Sequence, residues 1–499
     1  MRKASNTQEQ TILSLPTDLK EKTIAASLVL ALSFIIMEFK SRNTSNRKVE
    51  EALDFFDREG IALHSLLVAY KDELITECYC HPFERDTLHR MYSVTKSINA
   101  LGIGILLKKG MLSLDDRLSS LFPEYITEKT DERIKNTTIR NLLMMKSPYS
   151  KTCYKIGVRN GNNVSLYPDD WVSSFFTNTP DHDADTFFSY DTGAATVLSR
   201  IVEKVSGMKY MDFMRDNLFS PLGISKETYI LSDNVGNPQG GSGIMMRPID
   251  LLKIIYLVKE GGMGIVDEDY LKDATSPLSD TTLASMSNMR ERRMGYGYQI
   301  WSVGDGAYAF VGLGGQFAVA VPDKDIVFVT TADTQIYDAY SSLILKTLLG
   351  VVENIDLEDE VKAKERSTVF LENKAECHLE NMHFVMDENP IGVGETTLSF
   401  SRNSGSLTIV KNGDKEVYPF AFGKNALIEL KEKSSSPALS SASYNSDGTL
   451  SIWVQFIGEC LGGLTIEIGI KEKRISMRMR LVGELMFEGY SGVLTGTLR

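Results

Sequence analysis

The chain reads as an α/β (α+β) protein: one antiparallel sheet with a helical insertion, followed by a separate all-β domain. Three observations predict this. β-rich runs lie both before residue 80 and after residue 290. Between them, apolar residues recur three and four apart, the helical period. After about residue 358 that period fades, and short alternating runs separated by Gly, Asn and Ser take over. A sheet built from both ends of one domain, with helices between, is the natural packing.

The totals set bounds on function. With 499 residues the chain can hold two or three domains, each with its own core. A net charge of −12 argues against a nucleic-acid partner, which requires a basic face. The five cysteines are sparse, odd in number and free of any Cys-x-x-Cys spacing, as expected of thiols in a reducing compartment. Neither they nor the six histidines show metal-ligand spacing, and the histidines read as surface or turn residues. The expected location is cytoplasmic. The alternative is an anchor through the uncharged run 23–37, which is short of the roughly 20 apolar residues a spanning helix needs.

Three segments follow from these patterns: an N-terminal extension over 1–40, a first domain over 41–357 and a β-rich domain over 358–499. Within the first domain, Val49 to Glu59 is amphipathic and predicts a helix. The runs His64 to Tyr70 and Leu74 to Tyr79 flank Lys71-Asp72-Glu73 and predict a hairpin. Val94, Ile98, Leu101, Ile105 and Leu106 predict a helix closed by Lys108-Lys109-Gly110. Thr137-Thr138 begins the next helix, with a Thr as its cap, and 146–170 reads as a surface loop. Ala194 to Val205 forms a helix stopped at Ser206-Gly207, and Pro248 opens another. Strands are predicted at Gly295 to Trp301, Tyr308 to Val311, Gln316 to Val321 and Ile326 to Thr331. The last domain predicts a sandwich or small barrel, with 434–443, rich in Ser, as a long loop.

Ser-x-x-Lys occurs at Ser45, Ser93 and Ser206. Ser206 sits at a helix end and Ser45 in polar, low-order sequence. Ser93 begins a helix, with Lys96 one turn along the same face. A hydroxyl beside an amine at a helix N-terminus can be an activated nucleophile.

Beyond these four letters, Met91-Tyr92-Ser93-Val94-Thr95-Lys96-Ser97 is followed by Lys109-Gly110-Met111-Leu112-Ser113-Leu114-Asp115-Asp116, then Leu121-Phe122-Pro123-Glu124. Residues 41–350 thereby resemble the penicillin-recognising serine enzymes, nearest the class C β-lactamase-like branch, in which Ser-x-x-Lys is the first motif. The resemblance implies a β-lactamase/transpeptidase-like fold, catalytic Ser93 and Lys96, and a catalytic Tyr190 from Tyr190-Asp191-Thr192, the counterpart of Tyr-x-Asn. Thr192 takes the Asn position. Gly312, Leu313 and Gly314 take the place of the third motif as substrate-binding residues, with Phe310 where the family carries Lys or His. The last domain resembles those appended to some bacterial members.

The expected activity is hydrolysis of an ester or amide through an acyl-enzyme on Ser93. An esterase or amidase is expected more than a true β-lactamase, because the cation that would hold a substrate carboxylate is missing from that strand. The partner is a small-molecule or peptide-like substrate, and no metal or cofactor is implied. The rival reading is a weak or inactive binding protein on the same fold.

Overall fold

A computed structural model describes residues 37–150, 155–159, 162–166, 169–282, 290–334, 338–368, 381–430, 436–483 and 491–499. The central sheet contains the hairpin β1 (Leu63–Tyr70) and β2 (Glu73–His81), then four strands from the far end of the domain: β3 (Trp301–Gly304), β4 (Ala307–Gly312), β5 (Gln316–Val321) and β6 (Ile326–Ala332). These six run in the order β2-β1-β6-β5-β4-β3, each antiparallel to its neighbour, and the outer strand β2 also pairs in parallel with the short segments Lys40–Ser41 and Arg366–Ser367. The two ends of the domain meet where β6 pairs with β1, Val327 opposite Ala69. The expected sheet with a helical insertion is therefore the observed one.

The inner strands β1, β4, β5 and β6 are buried on both faces, so their side chains alternate between two cores. Leu67, Ala69, Val327 and Val329 enter one; Leu66, Val68, Ile326 and Phe328 enter the other. The second core is covered by α1 (Arg47–Arg58) and by a helix near the end of the domain, Asp338–Glu353. Val49, Ala52, Leu53 and Phe56 form one stripe of α1, and Asn46 caps it by accepting from the Lys48 N–H at 3.1 Å.

The first core is organised by α2 (Val94–Lys108), buried all round from Val94 to Leu106. A helix without a polar face must sit inside the molecule. Gly104 permits this, since a Cβ there would lie 2.6 Å from the Tyr270 ring. Beside α2 pack α3 (Thr192–Ser206), ended by Gly207 at φ 70°, and α4 (Pro248–Lys259).

Among the described residues the last domain forms a ten-stranded sheet. It comprises β7 (Met382–Met386), β8 (Val393–Ser401), β9 (Ser404–Lys411), β10 (Asp414–Phe422), β11 (Ala426–Leu430), β12 (Ser436–Tyr444), β13 (Leu450–Ile457), β14 (Leu461–Lys471), β15 (Arg474–Gly483) and β16 (Gly492–Leu498). β10 also pairs with β12, through Ala421 and Ser441, which closes the sheet as a barrel. Ile452, Val454 and Phe456 of β13 point into its core, while Gln455 between them points out.

Several local expectations are corrected. Residues 434–443 contain most of strand β12; Ala438 and Ala442 enter the barrel core, and Leu439 and Ser441 are buried on the opposite face. Small serines suit a strand buried on both sides. Gly295 to Ile300 is not strand: Gln299 takes φ 60° and donates to the Leu142 and Leu143 carbonyls, tying this segment to a helix and not to the sheet. The expected loop 146–170 contains a hairpin, Lys155–Arg159 with Asn162–Leu166. Ser45 lies in a buried strand paired with Glu360–Lys362, beyond the expected domain end at residue 357.

His64 and His89 are buried, not surface residues. They form a chain from the barrel into the first domain: Gln455 Nε2 donates to His64 Nε2 (3.0 Å), His64 Nδ1–H to His89 Nε2 (2.8 Å) and His89 Nδ1–H to the Arg90 carbonyl (3.1 Å). This direction pairs all four ring nitrogens with both rings neutral. Burial lowers both pKa values, that of His64 well below the ordinary range and that of His89 to about 4. The unfolded chain thus binds these protons first. Stability is fully present above about pH 6.5 and is lost as pH falls toward about 4, largely above the range where carboxylates titrate. Urea midpoints measured stepwise between these pH values are expected to fall; a flat midpoint contradicts the neutral chain.

Candidate active site

At the start of α2, Ser93 is partly exposed while its neighbours Met91, Tyr92, Val94, Thr95 and Lys96 are all buried. Serine at a helix start usually caps it through its hydroxyl. Here Ser93 makes no side-chain cap, and its Oγ lies 2.9 Å from Lys96 Nζ. Lys96 is 1% exposed and donates to the Gly241 carbonyl at 2.6 Å. Burial lowers its pKa to about 7, against the opposing pull of the Asp191 carboxylate.

Tyr190 arrives from the turn before α3. Its ring centroid lies 4.9 Å from Lys96 Nζ. Burial raises its pKa, while the neighbouring Ser93 hydroxyl and the Arg292 charge act the other way more weakly, so the phenol keeps its proton at neutral pH. Trp301 stacks on Tyr190 with centroids 5.8 Å apart, and the Arg292 guanidinium lies 5.9 Å from the Trp301 ring.

Thr192 begins α3. A Cβ on Gly241 would stand 2.4 Å from the Thr192 methyl, so Thr192 backs the loop that holds Lys96. Gly312 lies on the other side of the nucleophile, where a Cβ would meet the Met91 carbonyl oxygen at 2.5 Å. The pairing of β4 with β3 ends at Ala309 and Trp301, so Phe310 to Gly312 run past the end of that ladder. Leu313 is exposed at the tip, and the Gly314 carbonyl accepts from the Thr334 N–H at 3.1 Å. Phe310 is fully buried in the first core. The strand position that carries a cation in the resembled family is therefore occupied by packing.

Sequence reasoning brought together Ser93, Lys96, Tyr190, Thr192 and Gly312, and the fold does place them in one region. It missed Asp191, whose Oδ1 caps α3 by accepting from the Gly193 N–H at 2.9 Å. The signal was available: an acidic residue directly before a helical pattern. It also took Ser147 for a surface turn. Ser147 is buried and donates to Asp191 Oδ2 at 2.9 Å. Nothing local pointed to Gly241. Among the described residues no cluster of His, Cys, Asp or Glu has metal-holding geometry, and no helix is long and apolar enough to cross a membrane; residues 23–36 lie outside them.

Comparison with known proteins bears on the family and the fold. The chain is 27% identical to penicillin-binding protein 4* of Bacillus subtilis over 154 residues, 29% of this chain and 31% of that protein. It is 22% identical to the 6-aminohexanoate-dimer hydrolase of Paenarthrobacter ureafaciens over 292 residues, 54% of this chain and 72% of the other. The chain thus spans only a third or so of the first of these. A β-lactamase candidate from Bacteroides dorei DSM 17855 shares the fold, with a TM-score of 0.50 at 16% identity over 62% of this chain and 99% of that one. The sequence profile of the family described as Beta-lactamase matches residues 47–340, from α1 through strands β1 to β6 and the helical insertion between them. A match over more than half of the chain, running through the Ser93 helix and the strands around it, means that the protein belongs to the β-lactamase family.

Proposed function

We propose that the protein is a serine hydrolase that cleaves a neutral ester or amide through an acyl-enzyme on Ser93. The observation that carries this is the 2.9 Å contact between Ser93 Oγ and a buried Lys96 whose pKa is lowered to about 7. An ordinary lysine, near pKa 10.4, is a poor base at neutral pH; this one is poised. Neutral Lys96 takes the Ser93 proton as Oγ attacks the carbonyl. The oxyanion is held by the backbone N–H of Ser93 and one from the strand end at 312–314, each such donor worth about 3 kcal/mol. Tyr190, a phenol beside Ser93, donates its proton to the leaving group and is reprotonated from Lys96. Water then enters by the reverse route and releases the acid.

Phe310 in the core supports neutral substrates over carboxylate-bearing ones, and exposed Leu313 gives the rim an apolar contact. The reading is tested with a fluorophosphonate probe and a panel of neutral esters and amides; no labelling and no turnover above a Ser93→Ala control would overturn it.

A pH profile tests the base. Lys96 is protonated below about pH 7 and cannot accept, so kcat/KM is expected to fall on the acid side with a midpoint near 7. Asp191 raises the Lys96 pKa, so Asp191→Asn, which can keep the α3 cap and the Ser147 contact, is expected to move that midpoint to lower pH. A midpoint that stays or rises contradicts Lys96 as the base.

A further inference from the structure

The hairpin joining β13 to β14 turns through Gly458-Glu459-Cys460, and this tip of the barrel is seated against the nucleophile turn. The Leu461 N–H donates to the Tyr92 hydroxyl at 2.8 Å. Tyr92 directly precedes Ser93, is buried, and holds a backbone φ of 46°, a left-handed conformation that a bulky residue keeps only when its surroundings impose it. Arg90 gathers the rest. Its Nη1 donates to the Glu459 carbonyl at 2.8 Å, its Nε to the Ser242 carbonyl at 3.1 Å, and its guanidinium lies 4.9 Å from the Tyr92 ring centroid. Ser242 adjoins Gly241, whose carbonyl holds Lys96. Glu459 is fixed in turn, its Oε1 accepting from the Tyr229 hydroxyl at 2.8 Å.

From this geometry we infer that the C-terminal barrel is a working part of the active site: its 458–461 tip, through Tyr92 and Arg90 as positioning residues, sets the nucleophile turn and the loop that holds the base. The inference rests on Ser93 and Lys96 acting as proposed above. Tyr92 and Arg90 touch no reacting atom; they act through the backbone of Ser93 and Gly241. Held backbone geometry of this kind determines how often Oγ stands ready to attack.

The test uses the full chain and three variants. Tyr92→Phe keeps the ring against Arg90 but removes the acceptor for Leu461. Arg90→Lys keeps the charge but cannot span the three contacts. Arg474→Ala breaks the ion pair between the first residue of β15 and Asp387, across the turn from the end of β14 that is far from the tip, loosening the barrel without touching that tip. The rate of fluorophosphonate labelling is expected to fall roughly tenfold or more in the first two, with kcat lowered more than KM is changed, and to be unchanged in the third even where Tm falls. Amide exchange over 91–97 is expected to quicken in Tyr92→Phe and Arg90→Lys only. Labelling and exchange at the wild-type level in both variants overturn the inference, as does equal slowing in Arg474→Ala. If the wild type itself is never labelled, the hydrolase reading fails, and the exchange comparison alone then decides whether the tip positions the turn.

Discussion

Ser93→Ala is expected to abolish turnover and probe labelling, a loss of roughly 10⁴-fold or more, while the fold is kept. The two halves of this outcome have separate causes. A nucleophile cannot be replaced by a methyl group, since no acyl-enzyme forms. Stability is spared because the hydroxyl does not cap α2, so the usual cost of about 1 kcal/mol for losing a serine cap does not apply. The melting temperature, followed by circular dichroism, is expected to match wild type closely. Residual hydrolysis of the same ester at a tenth of the wild-type rate would remove Ser93 from the mechanism.

Lys96→Met carries the second large effect. Methionine follows a similar path through the core but offers no lone pair, and kcat is expected to fall by about 10³-fold or more. Folding is expected to be nearly neutral to the change. The Gly241 carbonyl loses a donor, a cost of about 1–3 kcal/mol, but an amine that is 1% exposed no longer has to be desolvated. Lys96→Arg separates charge from basicity: it keeps a cation but titrates too high to accept a proton, and is expected to be as inactive as the methionine variant. An arginine variant of near wild-type activity would show that a positive charge, not a base, is needed at this position. Urea unfolding alongside the kinetics checks that each loss is chemical.

Elements whose pattern depends on near neighbours were legible in the sequence. The hairpin at Lys71-Asp72, the helix from Val94 and the glycine stop at Gly207 all follow from spacing and turn chemistry within a dozen residues. Ser93 and Lys96 were legible together because three residues on a helix is one turn. Tyr190 required the longer resemblance, and Asp191 beside it hid in plain view as a cap. The misreadings share a physical cause. His64, His89, Ser147 and the serines of β12 are polar side chains in segments that look solvated, and contacts with other elements of the chain bury them. Gly241 is silent for the same reason, since its contribution is a backbone carbonyl that any residue would supply. What made it glycine is the Thr192 methyl against its Cα, visible only in three dimensions.

The pairing of β6 with β1 also has a consequence for biosynthesis. Strand β1 ends at Tyr70, and its neighbour β6 does not begin until Ile326. At about 5–20 residues per second, on the order of 10–50 s separate the emergence of the two from the ribosome. For most of that interval α2 has been made but lacks the four later strands of the sheet that covers it, and it has no polar face to show to water. The helix that follows Ser93 is thus a stretch of the nascent chain that a chaperone has reason to cover. The site it carries is assembled later still, once Leu461 has been added and the barrel tip can reach Tyr92.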